Sequence, residues 1–271
     1  TDYLLKYGFK GAIYPLRPKG GEFRGVKIYP GIKDVPGPVD LVICCIPARH
    51  VPQLLTDGAA KGLKAAVLHT AGFSETGSSE GRQLEAEVVR VAKANGIRIV
   101  GPNCMGIYHP QAGLAFAYEF PRESGRTALI CQSGGNSNFL VRAAAERGIR
   151  WSKAVSYGNA CDINETDLME YFIEDSETDM VAAYIEGVKD GPRFREVLGR
   201  LSAVKPVVIL KAGATPAGER AAASHTGALA GSDAAWNAIF SQSRAIRVDS
   251  LDELVDMMVT FRFMPVPPKG R

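Results

Sequence analysis

The sequence predicts two consecutive α/β domains, each built on a parallel sheet. Three observations carry this. Strand-length apolar runs alternate with helix-length segments along most of the chain, the signature of parallel strands joined by crossover helices. The strands read as near-continuous apolar runs, as in Leu41-Val42-Ile43-Cys44-Cys45-Ile46, which suits strands covered on both faces. The alternation breaks between Pro110 and Arg126, a stretch carrying glycine, proline and charge, and a domain boundary is expected there. A length of 271 residues fits two domains at roughly 150 residues each.

Thr1 to Tyr7 reads as the end of a helix closed by Gly8, and Gly11 to Pro15 as a short strand. A Rossmann-like domain begins with a strand, so its first strand and turn are expected to be missing here. Asp40 to Ile46 is the next strand, Val51 to Lys61 a helix, and Ala65 to His69 a strand running into Thr70-Ala71-Gly72-Phe73. Glu80 to Asn95 is helical, with apolar positions at Leu84, Val88, Val89, Val91 and Ala92, and Gly96 ends it. Ile97 to Val100 is the following strand, leading into Gly101-Pro102-Asn103-Cys104.

Beyond the boundary, Thr127 to Cys131 is a strand and Gln132-Ser133-Gly134-Gly135 a turn into a helix over Asn136 to Arg147, stopped by Gly148. Strands follow at Trp151–Tyr157, Val181–Ile185 and Pro206–Lys211, with helices at Glu165–Glu174 and Pro192–Val204 between them. Asp233–Gln242 and Leu251–Met258 are further helices. Between Ala212 and Ser232 lies a stretch of glycine, alanine, serine and threonine around His225. So long a loop inside a compact domain is uncommon and tends to be functional. The tail Pro265 to Arg271 reads as a linker.

Composition narrows the function classes. Basic and acidic residues number 32 and 29, for a net charge of +3. That balance argues against nucleic acid or a membrane surface as partner, so an anionic ligand needs a local site. The five cysteines are odd in number and form no CxxC pair, which leaves no disulfide framework, no zinc spacing, and an expectation of reduced thiols in the cytoplasm. No run approaches the roughly 18 apolar residues of a membrane span, and no signal peptide is visible.

Four groups of residues carry chemistry. His225 sits among small neighbours in Ser224-His225-Thr226-Gly227, with room for a bulky group on the ring, and a neutral imidazole nitrogen is a nucleophile. Its other nitrogen then needs an acid to fix the tautomer, and Glu186, at the end of a predicted strand, is the candidate. Ser133, Gly134 and Gly135 open a helix after a strand, where free N–H groups and the helix dipole attract an anion. In the first domain, Pro18 and Lys19, Pro47, Thr70-Ala71-Gly72 and Asn103-Cys104 follow strand ends and would cluster at one edge of a parallel sheet, with Arg17 and Lys19 offering charge to phosphate. Each group read alone also has an ordinary reading: a loop histidine, a solvated carboxylate, a strand–helix turn, loop punctuation. His50, His69 and His109 show no metal spacing and read as surface or satisfied core residues.

Taken in order, the segments Lys6-Tyr7-Gly8-Phe9, Tyr14 to Lys19, Gly37 to Leu41, Ala71-Gly72-Phe73, Gly101-Pro102-Asn103-Cys104-Met105-Gly106, Gln132-Ser133-Gly134, Gly158-Asn159 and Ser224-His225-Thr226-Gly227 resemble the α-type region of NDP-forming acyl-CoA synthetases. That family includes ADP-forming acetate–CoA ligase and, more distantly, succinyl-CoA synthetase. The resemblance implies a Rossmann-like CoA-binding domain over residues 1–122, lacking its first strand and Gly-rich turn. It implies a flavodoxin-like, succinyl-CoA synthetase-like parallel α/β domain over 123–264, and a linker over 265–271. It implies that His225 is phosphorylated, Glu186 supports it, and Ser133, Gly134 and Gly135 hold phosphate. Pro18, Lys19, Pro47, Thr70, Ala71, Gly72, Asn103 and Cys104 would contact coenzyme A.

The implied reaction joins an acid and CoA with ATP through an acyl phosphate and phospho-His225. Mg-ATP or ADP would bind outside this chain, on an ATP-grasp subunit or fused domain of an oligomer, with a small carboxylic acid or acyl-CoA as substrate. The acyl choice rests on pocket shape. A competing reading keeps the fold but loses catalysis, as a CoA-sensing module, and the presence of His225, Glu186 and the Ser133-Gly134 turn together argues against it. An NAD-dependent dehydrogenase would need a Gly-x-Gly-x-x-Gly turn that is not visible.

Overall fold

The computed structural model describes residues 1–213 and 233–264. His225 and the tail expected as a linker lie outside the described residues. The chain opens with helix α1 (Asp2–Tyr7), closed by Gly8 at φ 75°, a left-handed conformation that costs glycine little. A hairpin follows, β1 (Gly21–Phe23) and β2 (Val26–Ile28), paired antiparallel. Its turn residues Arg24 and Gly25 both take positive φ, as a tight hairpin turn demands. The first parallel sheet is built from β3 (Leu41–Cys44), β4 (Ala65–Leu68) and β5 (Arg98–Val100), in that order. Helices α2 (Val51–Ala59) and α3 (Ser79–Ala94) make the crossovers.

Two expectations are corrected here. Gly11–Pro15 forms no strand. Pro15 and Arg17 instead clasp Tyr29, Tyr29 N donating to Pro15 O at 2.8 Å and Arg17 N to Tyr29 O at 3.0 Å. Pro15 and Pro18 lack N–H donors, so this single bridge cannot grow into a ladder. The second correction concerns β3, which is not covered on both faces. Val42 and Cys44 are buried with α2 and α3, while Ile43 is 44% exposed. The neighbouring strand explains this. Ile43 pairs with Val67, and Val67 packs into the core of the second domain, which reaches the outer strand at Leu41 but leaves Ile43 at its margin.

The second sheet has six strands in the order β11-β10-β9-β7-β8-β6. They are β6 (Gly106–Tyr108), β7 (Thr127–Cys131), β8 (Trp151–Ser156), β9 (Met180–Ile185), β10 (Val207–Lys211) and β11 (Ile246–Val248). All are parallel except β6, which pairs antiparallel with β8 and carries the chain across from the first sheet. Thus the second sheet begins upstream of residue 123, where the second domain was expected to start. The helices are α4 (Gly134–Glu146), α5 (Glu165–Glu174), α6 (Gly191–Val204), α7 (Asp233–Ser241) and α8 (Leu251–Phe263).

Strand alternation divides the core between the two faces. Ala128 and Ile130 of β7 join Phe172, Phe194 and Trp236 from α5, α6 and α7. Leu129 and Cys131 join Leu140, Val141, Leu254 and Met258 from α4 and α8. Each fully buried Leu, Ile or Phe here contributes roughly 1.5–3 kcal/mol. The two domains share a core, because Val67 and Val100 of the first sheet lie in the α5–α7 cluster.

This layering sets the position of the site. Strands β7 and β9 are neighbours, but α4 after β7 and α6 after β9 cover opposite faces. The sheet therefore has its topological switch point between them. Crevices open beyond the carboxyl ends of strands at such a point.

Candidate functional site

The residue after β7 is Gln132, and its side chain ties the crevice together. Gln132 Oε1 accepts from Glu186 N at 2.9 Å and Gly187 N at 3.3 Å, just beyond β9, and from the Tyr157 hydroxyl at 3.4 Å, just beyond β8. Three strand ends are thereby joined on one buried oxygen. Glu186 is buried beside them. Its charge, added to burial, helps hold the Tyr184 hydroxyl at about 12.

Ser133 caps α4, its hydroxyl accepting from Asn136 N at 3.3 Å. The first N–H groups of a helix have no partner within it, so Gly134 and Gly135 present theirs to the crevice, at the positive end of the dipole. The two glycines differ. A methyl group on Gly134 would lie 2.9 Å from Met105 Cγ, so close packing needs glycine there, whereas Gly135 has open space in front of it.

The opposite wall comes from the first domain. Its chain turns at Gly101–Pro102, a cis peptide, and Asn103 takes a left-handed φ of 56°. Asn103 N donates to Thr70 O at 2.9 Å, and the Thr70 hydroxyl to Ile46 O at 2.7 Å, which links the ends of β3, β4 and β5. Gly72 backs onto Ala48, beside Pro47. The loop after β8 closes the contact between walls. Asn159 N donates to Pro102 O at 3.0 Å, and Gly158 at φ 54° lies so near that a methyl group would sit 2.1 Å from Pro102 O. A cleft of about 440 Å³ results. Asn103, Ser133, Gly134, Gly135 and Asn159 line it, together with His69 at the end of β4.

Most of the expected site residues fall into two neighbouring sets. Ser133, Gly134, Gly135 and Asn103 share the cleft with Gln132, whose side chain holds the backbone N–H of the buried Glu186, itself not a lining residue. Pro47, Thr70, Ala71 and Gly72 gather at the strand ends of the first sheet, next to Asn103. Cys104 borders the cleft, but its thiol points inward, donating to Leu68 O at 3.4 Å, and burial pushes it up to about 12. It therefore offers backbone rather than a reactive sulfur. Pro18 and Lys19 are not brought to this cluster by any described hydrogen bond. They stand exposed in a turn that Arg17 pins to Gly20 O at 2.8 Å. His225 lies outside the described residues.

One cleft residue carried no signal in the sequence. His69 reads there as surface or core, yet it lines the cleft with its ring edge against Gly106. Burial lowers its pKa, so the ring is neutral at pH 7 and can offer one donor and one acceptor. His109 by contrast lies 3.6 Å from Glu177, at the other end of the sheet. Among the described residues no three His, Cys, Asp or Glu side chains are placed to hold a metal, and no helix is long and apolar enough to cross a membrane.

Comparison with known proteins bears on the same two regions. Residues 124–261 match the family model described as succinyl-CoA ligase like flavodoxin domain, and residues 1–110 the one described as CoA binding domain. The chain is 42% identical over 261 residues to acetate–CoA ligase [ADP-forming] II subunit alpha of Pyrococcus furiosus, covering 96% of this chain and 57% of that one. It is 44% identical over 259 residues to acetate–CoA ligase [ADP-forming] of Methanocaldococcus jannaschii, covering 95% and 36% respectively. Among solved structures it resembles dinucleotide forming acetyl-coenzyme A synthetase 1 of Ca. Korarchaeum cryptofilum in complex with phosphate and ADP. The TM-score is 0.91 at 38% identity, covering 99% of this chain and 58% of that one. The chain thus spans from about a third to somewhat over half of the length of these relatives.

Proposed function

This chain belongs to the NDP-forming acyl-CoA synthetase family, and from that premise we propose that it is the CoA-binding and phosphohistidine part of an acyl–CoA ligase. The observation that carries the proposal is the cleft itself. A helix N-terminus at Ser133-Gly134-Gly135 and the buried Glu186 are joined through Gln132, facing the strand ends of a CoA-binding-type sheet. Residues 1–122 form the CoA domain apart from β6, which joins the sheet of the phosphohistidine domain over 123–264, and 265–271 is a linker.

Acyl-CoA and inorganic phosphate react first. A phosphate oxygen attacks the thioester carbonyl, the C–S bond breaks, and the thiolate leaves to take up a proton as free CoA. The Gly134 and Gly135 N–H groups hold the phosphoryl oxygens, with charge stabilised by the dipole of α4. A ring nitrogen of His225 then attacks the phosphorus of the acyl phosphate, and the carboxylate departs. Glu186 orients the imidazole and balances the charge that forms on it. The phosphoryl group passes to Mg-ADP on an ATP-grasp partner, subunit or fused domain, within a cytoplasmic oligomer. Pro47, Thr70, Ala71, Gly72 and Asn103 offer backbone to CoA, with Lys19 offering charge.

The test is phosphorylation of the complete enzyme, this chain with its nucleotide-binding part, by ATP labelled in the γ-phosphate. Label that is acid-labile, alkali-stable and absent from His225→Ala is the expected result. A folded, assembled enzyme that takes up no label overturns the reading and favours a CoA-sensing module.

A further inference from the structure

Glu75 and Glu85 stand behind the cleft wall, yet both end on a residue that lines it. Glu75 Oε2 accepts from Asn159 Nδ2 at 2.6 Å and Glu85 Oε2 accepts from the same nitrogen at 2.9 Å. The two acids belong to the first domain, Glu75 in the short turn Ser74–Thr76 and Glu85 on α3, whereas Asn159 follows β8 of the second. A carboxylate only accepts, so the amide of Asn159 can face them in one way. Its nitrogen meets the acids and its Oδ1 turns to Asn103, accepting from Asn103 Nδ2 at 3.5 Å. Asn103 and Asn159 both line the cleft beside Ser133 and Gly134.

We propose that Glu75 and Glu85 are positioning residues of the reaction cleft, setting which way the amides of Asn159 and, through it, Asn103 face the bound acyl and phosphoryl groups. This rests on the reading of the cleft given above. Neither acid touches the ligand. Together they decide whether an amide oxygen or an amide nitrogen meets it.

The two acids do this differently. Glu75 has both oxygens committed: Oε1 accepts from Gly72 N at 2.5 Å and Phe73 N at 3.1 Å, while Oε2 serves Asn159. Among the described residues, all of the hydrogen bonds of Glu85 fall on Oε2, from Ser74 N, the Ser74 hydroxyl and Asn159. A glutamine at 85 can keep its carbonyl oxygen at that point. A glutamine at 75 must turn an NH₂ either onto two backbone N–H groups or onto the amide of Asn159, and the second choice drives that amide to flip. Both substitutions remove one negative charge, so a purely electrostatic role affects both alike, and a structural loss at Glu75 shows in the melting temperature.

The experiment is steady-state kinetics of the complete enzyme with acetyl-CoA, phosphate and ADP, for Glu75→Gln and Glu85→Gln. A misplaced donor leads us to expect kcat/KM for phosphate to fall about tenfold to hundredfold in Glu75→Gln, with Glu85→Gln within about threefold of the parent. Equal losses in the two variants, or no loss in Glu75→Gln, overturn the proposal. Should Glu75→Gln melt below the assay temperature, Asn159→Asp and Asn159→Ala decide. Aspartate sets a third acceptor against the two acids and should lose at least about tenfold more than alanine. A loss from alanine as large as that from aspartate overturns the proposal. A parent enzyme that neither turns over acetyl-CoA nor takes up label from ATP on His225 removes the functional reading, and this inference with it. Turnover with the two glutamine variants alike removes the positioning role alone.

Discussion

Gln132 Oε1 and the backbone N–H of Glu186 lie 2.9 Å apart, across the switch point of the second sheet. The contact places the helix-opening turn after β7 and the acid after β9 in one frame. It also gives a buried carbonyl oxygen three donors, counting Gly187 N and the Tyr157 hydroxyl.

Gln132→Ala is therefore expected to cost more than a surface substitution. It strands two buried N–H groups and a buried hydroxyl, each worth roughly 1–3 kcal/mol when left unpaired. Allowing for water entering the space left, a loss of about 2–4 kcal/mol is expected in urea unfolding. A loss under about 1 kcal/mol would show that the strand ends do not depend on this oxygen.

Much of the second domain was legible because its strands are buried on both faces and its helices are signalled at their ends. Glu165–Glu174 was expected as a helix and has those bounds, its start set by the Asn164–Asp167 capping box. The missed elements are short and lie at the margins. The strands β6 and β11 have three residues each and flank the second sheet, and β1 is exposed throughout, so no burial pattern marks it. The turn at Gln132 could be read as an anion site from its glycines. Glu75, Glu85 and His69 could not be read, because their roles arise only when two domains meet, and no local spacing encodes that meeting.

The glycines of the cleft separate folding from binding. Gly158→Ala combines a strained φ with a methyl group 2.1 Å from Pro102 O, and a loss of at least about 2 kcal/mol is expected. Gly135→Ala meets nothing within 4 Å and should leave the melting temperature near that of the parent. The same methyl group enters the cleft, so the KM for phosphate should rise in the complete enzyme. Unchanged phosphate kinetics in Gly135→Ala would take the anion away from this turn.

Ser133→Ala removes the cap of α4. The lost bond to Asn136 N predicts about 1 kcal/mol of destabilisation, measured by thermal or urea unfolding. If the hydroxyl serves as a cap alone, phosphate kinetics stay unchanged. If it also bonds the phosphoryl group, kcat/KM falls about tenfold or more beyond the stability effect.

Glu165 gives the protein a pH dependence of known sign. It is buried at the start of α5, and burial pushes its carboxyl up from the ordinary 4.5 to about 7, against the pull of its helix N–H and of Lys189. Between those two values the folded chain keeps a proton that the unfolded chain has released. Stability therefore falls as pH rises through that window. The deficit is complete above about pH 7 and amounts to about 3 kcal/mol at most. Glu165→Gln has the shape of the protonated acid and no charge to bury. Its stability relative to the parent should thus be similar at pH 4.5 and higher by up to about 3 kcal/mol at pH 8. The comparison needs urea unfolding of both proteins at the two pH values, since other groups titrate in each and cancel in the difference. A difference that does not change with pH would mean that Glu165 is ionised in the fold throughout, with its charge met by Lys189 rather than suppressed by burial.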